Sequence, residues 1–462
     1  MTTRLPTLGD PMNAEVAADL LVELNADQTR LLAVTFIDNS GIARVKGVPL
    51  DRLAEVAQWG VGFSPVADVY LLDDGFTESP SAGGPVGDLR LLPDLGELAR
   101  LPAQPGWAWA PADRVAQSGV PHPQCHRHVL REQCRRLAAH GWRASMAFEL
   151  EWMLSIGDGD EFIPATTGPA YGMTRMVELS DYCVELAGAL DAQGLHVQQL
   201  HPEYAAGQFE VSVAAAEPLA AADHSVLARQ TIRAVGQRHG MRTTFAPSVT
   251  TDGVGNGMHL HFSMWDGPRN LAADGDGPFG MTTQWSSFLA GVLDRLPEML
   301  AVTAPSVASY MRLQPGHWSA PFQCWGPENR EAALRIVPGA SGQWTVAANA
   351  EVKTVDATAS PYLVAAVVIA AGLDGVEREL TLPPPVEVDP GSLDAAARES
   401  LGIERLPTNL AVATDRFTRS DVLRAALGEH LHETLVAVRR AEMATFADAD
   451  DAGIVDGTRW RH

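Results

Sequence analysis

The amino-acid sequence predicts an α+β fold in two domains. A chain of 462 residues can bury a large core and is long enough for two domains. Short apolar runs of strand length alternate with longer runs of helical spacing, which is typical of mixed folds. The segment Pro121-His122-Pro123 marks a boundary. We therefore expect a small domain over residues 13–115 and a large domain over residues 120–462.

The small domain is predicted to combine two helices with four strands. Its first helix carries Leu20 and Leu24 on one side, and Asn13 is the expected N-cap. The turn residues Asn39-Ser40-Gly41 separate the first two strands, and Gly60 ends the second helix. In chain order we predict helix 13–24, strands 31–38 and 42–48, helix 51–59, and strands 88–92 and 107–110.

The large domain is predicted to alternate helices and strands before a mostly helical C-terminal third. Gly141 and Gly194 each end a helix, and a glycine-rich turn precedes the last clear strand. In chain order we predict helix 127–140, the strand that carries Glu149 and Glu151, helix 175–193, strands 195–200 and 208–214, helix 218–239, and strands 243–247 and 258–265.

The charge balance excludes several classes of function. The chain has 57 acidic and 34 basic side chains and a formal net charge of −23. A surface this acidic disfavours nonspecific binding to nucleic acid and to anionic membranes. The longest apolar stretch, residues 362–373, is too short to span a bilayer as a helix. We expect neither a nucleic-acid nor a membrane partner.

The cysteines and the N-terminus favour a cytoplasmic location. Four cysteines are present and none belongs to a CxxC pair, which is typical of reduced thiols in a cytosolic protein. The segment Met1 to Pro11 lacks a basic region followed by an apolar run, so no signal peptide is expected.

Carboxylates and imidazoles recur at strand spacing in the large domain. Glu149 and Glu151 lie two residues apart in an apolar run, so in a strand they share one face. His259 and His261 repeat this spacing. Each residue alone fits a solvated surface carboxylate or a satisfied core histidine. Together with Glu203, Glu210 and Glu351 they indicate hard oxygen ligands plus one imidazole, a set that suits Mg²⁺ or Mn²⁺ rather than structural zinc.

Glycines and arginines nearby are consistent with phosphate chemistry. Gly253, Gly255 and Gly257 let backbone approach a ligand closely, although no Walker A sequence is present. Arg330 and Arg335 follow in the last third of the chain, and Arg335 lies in an apolar run where an unpaired guanidinium is costly. Phosphoryl transfer needs fixed cations beside the metal ions, whereas salt bridges are the structural alternative.

Six motifs in order resemble class I glutamine synthetase, from about residue 25 to the end of the chain. The motifs are Phe-Glu-Leu-Glu at 148–151, His-Pro-Glu to Gly-Gln-Phe-Glu at 201–210, Gly-Asn-Gly-Met-His-Leu-His-Phe-Ser at 255–263, Arg-Leu-Gln-Pro-Gly at 312–316, Glu-Asn-Arg-Glu-Ala-Ala-Leu-Arg-Ile at 328–336, and Ser-Pro-Tyr-Leu at 360–363. The resemblance implies an N-terminal β-grasp domain and a catalytic domain built on a curved antiparallel sheet. It also implies a dodecamer with active sites between subunits, and glutamate and ATP as substrates.

The resemblance implies a role for each matching residue. Metal ligands would be Glu151, Glu203 and Glu210 for one ion and Glu149, His259 and Glu351 for a second, among two or three Mg²⁺ or Mn²⁺ ions. Arg312 and Gly255 would bind glutamate, and Arg330 would stabilise the transferring phosphoryl group. ATP contacts would come from His261, Ser263, Arg335 and Lys353, where Lys353 replaces a family arginine.

The sequence departs from the family where ammonium binds. Ser64 falls where the family has an aspartate, with Asp68 nearby as a partial replacement. The flap after Arg312 reads His317-Trp318-Ser319-Ala320-Pro321 and has no carboxylate of its own. Ammonium needs anionic neighbours to bind and to lose a proton. Trp318 can instead line a pocket for an organic group, and His317 can act as a base near neutral pH.

These departures predict a primary amine as the acceptor. The protein is expected to be an ATP-dependent ligase that joins the γ-carboxylate of glutamate to an amine through γ-glutamyl phosphate. Ethanolamine is favoured over the polyamines putrescine and spermidine, because a distal ammonium needs acidic neighbours, and the sequence predicts that this pocket has lost them. The alternatives are a γ-glutamylpolyamine synthetase, a true glutamine synthetase that uses ammonia, a non-catalytic regulator of the same family, and a guanidino-type phosphotransferase.

Overall fold

The computed structural model of the protein describes residues 7–462, and its first sheet contains six strands. The strand order is β2-β1-β6-β4-β3, and β5 pairs with β6. Strands β1 and β6 are parallel, and the other pairs are antiparallel. The elements are α1 (Pro11–Ala26), β1 (Leu31–Ile37), β2 (Ala43–Pro49), α2 (Leu53–Trp59), β3 (Val61–Phe63), β4 (Leu89–Pro93), β5 (Ala99–Arg100) and β6 (Trp107–Ala116).

Apolar side chains of both helices pack on one face of this sheet. Leu24 of α1 and Val56 of α2 share a core with Leu32 and Val34 of β1 and Leu91 of β4. Alternate residues of a strand point to the same face, so the apolar residues of β1 reach this core together. Two helices on one face of a mixed sheet agree with the expected N-terminal β-grasp domain.

The second sheet contains ten strands and forms the centre of the large domain. The order is β16-β13-β14-β15-β11-β7-β9-β8, with β10 on β7 and β12 on β11. Within this sheet, as described over residues 142–405, only the pair β13–β14 is parallel. The strands are β7 (Trp142–Ile156), β8 (Val197–Pro202), β9 (Gln208–Val213), β10 (Met241–Thr244), β11 (Met258–Asp266), β12 (Arg269–Asn270), β13 (Phe322–Pro327), β14 (Ala332–Val337), β15 (Asn349–Val352) and β16 (Glu404–Arg405).

Helices surround this sheet. Residues 362–373, whose apolar run is too short for a bilayer, lie in the buried helix α10. Between residues 7 and 462 no helix is both long enough and apolar enough to cross a membrane. The helices are α3 (His126–Ala139), α4 (Met173–Glu178), α5 (Ser180–Ala192), α6 (Pro218–Arg238), α7 (Thr283–Thr303), α8 (Ser309–Arg312), α9 (Trp344–Ala347), α10 (Pro361–Glu377), α11 (Ala395–Ser400), α12 (Leu410–Thr418), α13 (Asp421–Leu427), α14 (Glu429–Thr445) and α15 (Asp451–Thr458).

Three predicted elements are wrong in detail. The N-cap of α1 is Asp10, which accepts the Met12 amide at 3.0 Å, because Pro11 occupies the first turn; Asn13 lies inside the helix. The single helix predicted over 175–193 is two helices, α4 and α5, which meet at Leu179 (φ −116°). The strand predicted over 243–247 ends at Thr244, and Pro247 cannot donate to a ladder.

The signal-peptide prediction falls partly outside the described residues, which begin at Thr7. The predicted α+β fold class with its two family domains is confirmed, whereas the boundaries 13–115 and 120–462 stay predictions.

Candidate active site

Strand register brings the predicted metal ligands to one face of the large sheet. Glu149 on β7 faces His259 on β11, and Glu151 on β7 faces Glu210 on β9. Directly opposed residues on neighbouring strands have their Cβ atoms about 5 Å apart, so their side chains meet. Glu210 in turn faces His201 on β8. A continuous row of carboxylates and imidazoles therefore crosses four strands.

The first ligand group joins Glu149, His259 and Glu351. His259 Nδ1 lies 3.0 Å from Glu149 Oε1 and 3.3 Å from Glu351 Oε1. One possible ligand atom from each residue lies within 4.8 Å of the others. Burial alone raises the pKa of Glu149, but its hydrogen bond to His259 and the charges of His259 and His261 outweigh burial and lower it. Both carboxylates are therefore held ionised, as metal ligation requires.

Glu351 also binds two cations of the protein. Its Oε2 accepts from Arg335 Nη1 at 2.9 Å, and its Oε1 accepts from Lys353 Nζ at 3.1 Å. Burial raises the pKa of Glu351, but Lys353, the two histidines of β11 and Arg335 lower it well below its usual range. The predicted ATP-binding residues Arg335 and Lys353 thus meet at a ligand of the first group, and their predicted contact with ATP stays a prediction.

The second ligand group joins His201, Glu203 and Glu210. His201 Nε2 lies 3.0 Å from Glu210 Oε1, and its Nδ1 lies 3.7 Å from Glu203 Oε1. Their ligand atoms also lie within 4.8 Å of one another. The pKa of Glu210 is raised because the group is buried and because three neighbouring carboxylates, Glu149, Glu151 and Glu203, repel its charge. Such mutual repulsion is relieved when a divalent cation binds.

Glu151 lies between the two groups. Its Oε2 accepts the Gly257 amide at 2.8 Å and Gln208 Nε2 at 3.1 Å, and its Oε1 lies 3.7 Å from His259 Nε2. These two hydrogen bonds fix the carboxylate of Glu151 between the two ligand groups. The structure therefore brings all six predicted ligands to one face, although the tight second group contains His201 rather than Glu151.

Arg312 lies under the glycine loop with an unused donor. Its Nη2 lies 3.1 Å from His259 Nε2 and donates to the Lys353 carbonyl at 3.0 Å. Its buried Nη1 has no partner within the described part of the chain. A Cβ added to Gly257 would fall 2.8 Å from Arg312 Nη2. Gly257 therefore lets the backbone lie close to Arg312, and the unpaired Nη1 of this buried guanidinium can donate to an anionic ligand.

The flap covers a cavity of about 470 Å³. Trp318 is 60% exposed on its wall, and Arg330 is exposed within it. His317 is half-buried in the flap, and its Nδ1 has no partner among residues 7–462. Four carboxylates contribute to the lining, which consists of Gly316, Trp318, Pro327, Glu328, Asn329, Arg330, Glu331, Glu387, Val388 and Asp389.

This lining corrects one expectation. The flap has no carboxylate of its own, as predicted, but its backbone amide at Trp318 donates to Glu331 Oε1 at 3.0 Å. Glu331 comes from the segment before β14, so an acid reaches the flap from a different part of the chain. The expectation that the surroundings of the flap have lost their acids is therefore wrong, whereas the place of the acceptor pocket stays a prediction.

Two further expectations concern polar residues away from the ligand row. Ser64 is exposed and caps a 3₁₀ turn by accepting the Val66 amide at 3.3 Å. Asp68 is fully buried, ion-paired to Arg114 and hydrogen-bonded to His122. Asp68 is therefore occupied as a structural counter-ion within the chain, which contradicts its suggested role as a replacement acid.

The remaining predicted ATP contacts, His261 and Ser263, lie on β11. His261 Nδ1 lies 2.9 Å from Asn349 Oδ1, and Ser263 Oγ accepts from Trp265 Nε1 at 2.9 Å. His261 Nε2 is 3.9 Å from carboxylate oxygens of both Glu149 and Glu351. His261 thus borders the first ligand group, and the two ATP contacts stay predictions.

Sequence reasoning missed four residues of this site. His201 alternates with Glu203 along β8, so the same i, i+2 rule could have found it. Gln208 directly precedes a matched motif residue and positions Glu151. Tyr171 hydrogen bonds through its hydroxyl to Glu203. Its loop gives no strand pattern, and neither does the segment that contains Glu331, so only the fold reveals these two.

Comparison with known proteins agrees with this geometry. The family model described as "Glutamine synthetase, catalytic domain" matches residues 123–452, and "Glutamine synthetase N-terminal domain" matches residues 17–120. This chain belongs to the glutamine synthetase family.

Several members of this family resemble the chain over nearly its full length. Gamma-glutamylpolyamine synthetase GlnA3 of Streptomyces coelicolor is 51% identical over 98% of both chains. Glutamate–methylamine ligase of Methyloversatilis universalis is 30% identical over 89% of this chain and 92% of its own. A crystal structure of a novel glutamine synthase homolog has a TM-score of 0.83 and 34% identity, and covers 92% of this chain and 97% of its own. The prediction of an ATP-dependent carbon–nitrogen ligase of the glutamine synthetase family is confirmed.

Proposed function

We propose that this glutamine synthetase family member joins the γ-carboxylate of glutamate to a terminal amine of a polyamine. The observation that carries the proposal is the carboxylate-lined cavity beside Arg330. A polyamine places further ammonium groups beyond the reacting nitrogen, and these need anionic neighbours. A neutral tail such as that of ethanolamine gains nothing from four carboxylates. The relative that is 51% identical bears the name of a polyamine enzyme, which supports the same choice.

The two ligand groups fit divalent cations and ATP. Oxygen donors dominate both groups, and each contributes one imidazole, a set that suits Mg²⁺ or Mn²⁺. We propose that Glu149, His259 and Glu351 hold one ion, and that Glu203 and Glu210 hold another with Glu151 or His201. When bound, such ions neutralise phosphate charge and hold ATP in place. His261, Ser263, Arg335 and Lys353 are proposed to complete the nucleotide site.

Residues of the chain are proposed to bind glutamate and to stabilise phosphoryl transfer. The free Nη1 of Arg312 binds the carboxylate of glutamate beside the backbone of Gly255. A γ-carboxylate oxygen attacks the γ-phosphorus of ATP, ADP leaves, and Arg330 stabilises the charge on the transferring phosphoryl group. The neutral amine nitrogen then attacks the acyl carbon of γ-glutamyl phosphate and phosphate leaves.

The acceptor arrives as an ammonium and must lose a proton first. His317 lies in the flap with a free Nδ1 that can accept this proton. Trp318 offers an aromatic face at the cavity wall, and such faces attract alkylammonium groups. Ser64 is proposed to contact the acceptor from a neighbouring copy of the chain, where its exposure leaves it available.

Assembly and location belong to the same proposal. We propose a homo-dodecamer with active sites between subunits, since symmetric closure is the rule for soluble oligomers. We also propose the cytoplasm as its location, because Cys125, Cys134, Cys183 and Cys324 are all unpaired.

An amine panel tests this function. The purified protein is incubated with glutamate, ATP and Mg²⁺ or Mn²⁺ plus one of putrescine, spermidine, ethanolamine, methylamine or ammonium. We expect phosphate release and a γ-glutamyl amide mass with the polyamines, at a kcat/KM at least tenfold above that with ethanolamine. Glutamine as the dominant product would instead establish an ammonia enzyme. Phosphorylated amine would establish a phosphotransferase, and no ATP hydrolysis in any mixture would favour a regulator.

A further inference from the structure

The flap rests on the carboxylate of Glu331. Trp318 donates its backbone amide to Glu331 Oε1 at 3.0 Å, and burial raises the pKa of Glu331 while the amides of Trp318 and Ala320 oppose that rise. Both flap residues have left-handed backbone conformations, with φ of 53° at Trp318 and 56° at Ala320. Such conformations are uncommon in residues other than glycine and need support from the surrounding structure. Glu331 therefore holds the shape of the flap.

Glu331 also lies between the ligand row and the cavity. It directly precedes β14, where the Ala333 carbonyl accepts the Lys353 amide at 3.1 Å. Lys353 binds Glu351 of the first ligand group. Glu331 interacts electrostatically with Lys353 on one side and with Asp389 of the cavity wall on the other. Glu331 therefore connects the first ligand group with the cavity wall through charge.

Glu331 differs from the other acids of the cavity in its burial. Glu328, Glu387 and Asp389 are exposed, so water and salt screen their charges. Glu331 is half-buried, and the Trp318 amide restrains its position. A carboxylate that is fixed and partly desolvated attracts a cation more strongly than one that is mobile and solvated.

We propose that Glu331 is the specificity-determining residue for the acceptor, where its carboxylate binds an ammonium group of the polyamine that does not react. This inference rests on the proposed function and names the residue that selects the substrate class. The same carboxylate fixes the flap, so recognition of the acceptor's charge and the shape of the flap depend on one side chain. The flap itself contains no acid, and Glu331, which directly precedes β14, supplies one.

A matched pair of amines tests the proposal. Putrescine and n-butylamine have the same carbon chain and one reactive primary amine in common, but only putrescine carries a second ammonium. Initial rates are measured for the wild type, Glu331→Gln and Glu331→Ala, with glutamate and ATP saturating. Glu331→Gln keeps an oxygen for the flap amides and removes only the charge. Glu404→Gln, an exposed acid on β16 outside the cavity, is the control.

We expect the wild type to prefer putrescine and Glu331→Gln to lose about 10-fold of that preference in kcat/KM, which corresponds to about 1.4 kcal/mol. The KM values for glutamate and ATP should stay within about twofold, and n-butylamine should be used nearly as well as by the wild type. Glu331→Ala should also slow the reaction with n-butylamine, because it releases the flap. Glu404→Gln should match the wild type throughout.

Two results would overturn the inference, and they are distinguishable. If the wild type prefers putrescine and Glu331→Gln keeps the full preference, Glu331 does not bind the second ammonium. The proposed function would still stand. If the wild type uses neither amine, the proposed function fails and this inference fails with it. Melting curves of each variant separate unfolding from loss of recognition, and Glu331→Gln is expected to melt as the wild type does.

Discussion

Glu351 is the residue on which most charges of the site converge. It is 1% exposed and contacts Arg335, Lys353 and His259. A buried carboxylate that contacts a lysine and an arginine stays ionised, which is why its pKa lies far below its usual range. The arrangement both satisfies a buried charge and keeps a hard anionic ligand ready for a divalent ion.

Glu351→Gln should therefore abolish metal-dependent turnover while it keeps the shape of the side chain. We expect ATP-dependent phosphate release to fall by about 100-fold or more, the upper range for loss of a metal-site group. The rise in melting temperature on addition of Mn²⁺ should shrink as well. Glu404→Gln is the control, and circular dichroism verifies folding, since Lys353 loses its buried partner. An unchanged Mn²⁺ titration would show that Glu351 is not a ligand.

At the scale of elements, the glycine loop over residues 253–257 is shaped by close contacts. A Cβ on Gly255 would lie 1.6 Å from the Pro247 carbonyl oxygen and 3.2 Å from Arg312 Cβ. No side chain fits there without a shift of the backbone. The loop also places the Gly257 amide on Glu151. It thus links the ligand row to Arg312.

Gly255→Ala should displace this loop. We expect the KM for glutamate to rise about tenfold or more and the melting temperature to fall, because overpacking a tight site costs about 1–3 kcal/mol. Gly188→Ala in α5 is the matched control, since a Cβ there meets no atom within 4 Å and alanine is the better helix former. Kinetics for Gly255→Ala equal to those of Gly188→Ala would contradict this account of the loop.

The elements also show how far sequence reasoning reaches. The i, i+2 spacing of Glu149 and Glu151 needs only strand periodicity, so the shared face was predictable. Which strands are neighbours was not, because register between β7, β9 and β11 is a long-range property. The contact of Glu331 with the flap joins two segments of unpaired backbone and follows no periodicity. For this reason the sequence pattern favours ethanolamine, whereas the contact of Glu331 with the flap supports the polyamine acceptor that we propose.

The two errors in helix boundaries have different causes. Asn13 and Asp10 are both acceptable caps, and the proline at position 11 decides between them. The break at Leu179 interrupts a continuous helical pattern that contains neither proline nor glycine at that point. Propensity gives no signal for such a break, so tertiary contacts determine it.

At the scale of the whole molecule, a buried ionic network joins two helices of the large domain to the small domain. Arg127 of α3 pairs with Asp223 of α6 at 2.8 Å and with Asp94 and Asp113, which belong to the small domain, at 2.9 and 3.2 Å. One guanidinium thus faces three carboxylates. Burial lowers the pKa of Arg127, but these acids outweigh it and raise the pKa well above its usual value.

Glu97 adds a fourth carboxyl group at this junction. Burial and, after it, the charges of Asp223 and Asp94 raise its pKa to about 7 against the opposing charge of Arg127. Between its ordinary value of 4.5 and about 7, the folded protein therefore binds more protons here than the unfolded chain. Stability contributed by this group is lost as the pH rises through that window.

Glu97→Gln should consequently stabilise the protein at pH 8 and have little effect below pH 4.5. With a discount for partial solvent screening, we expect a gain of about 1–2 kcal/mol at pH 8, seen as a higher melting temperature. Glu23→Gln on the exposed face of α1 is the control and should shift neither melting curve. Because the ionised carboxylate faces two aspartates across the junction, the gain should shrink when salt screens that repulsion. If Glu97→Gln and the wild type have the same melting temperature at both pH values, the charge of Glu97 does not affect the stability of the junction.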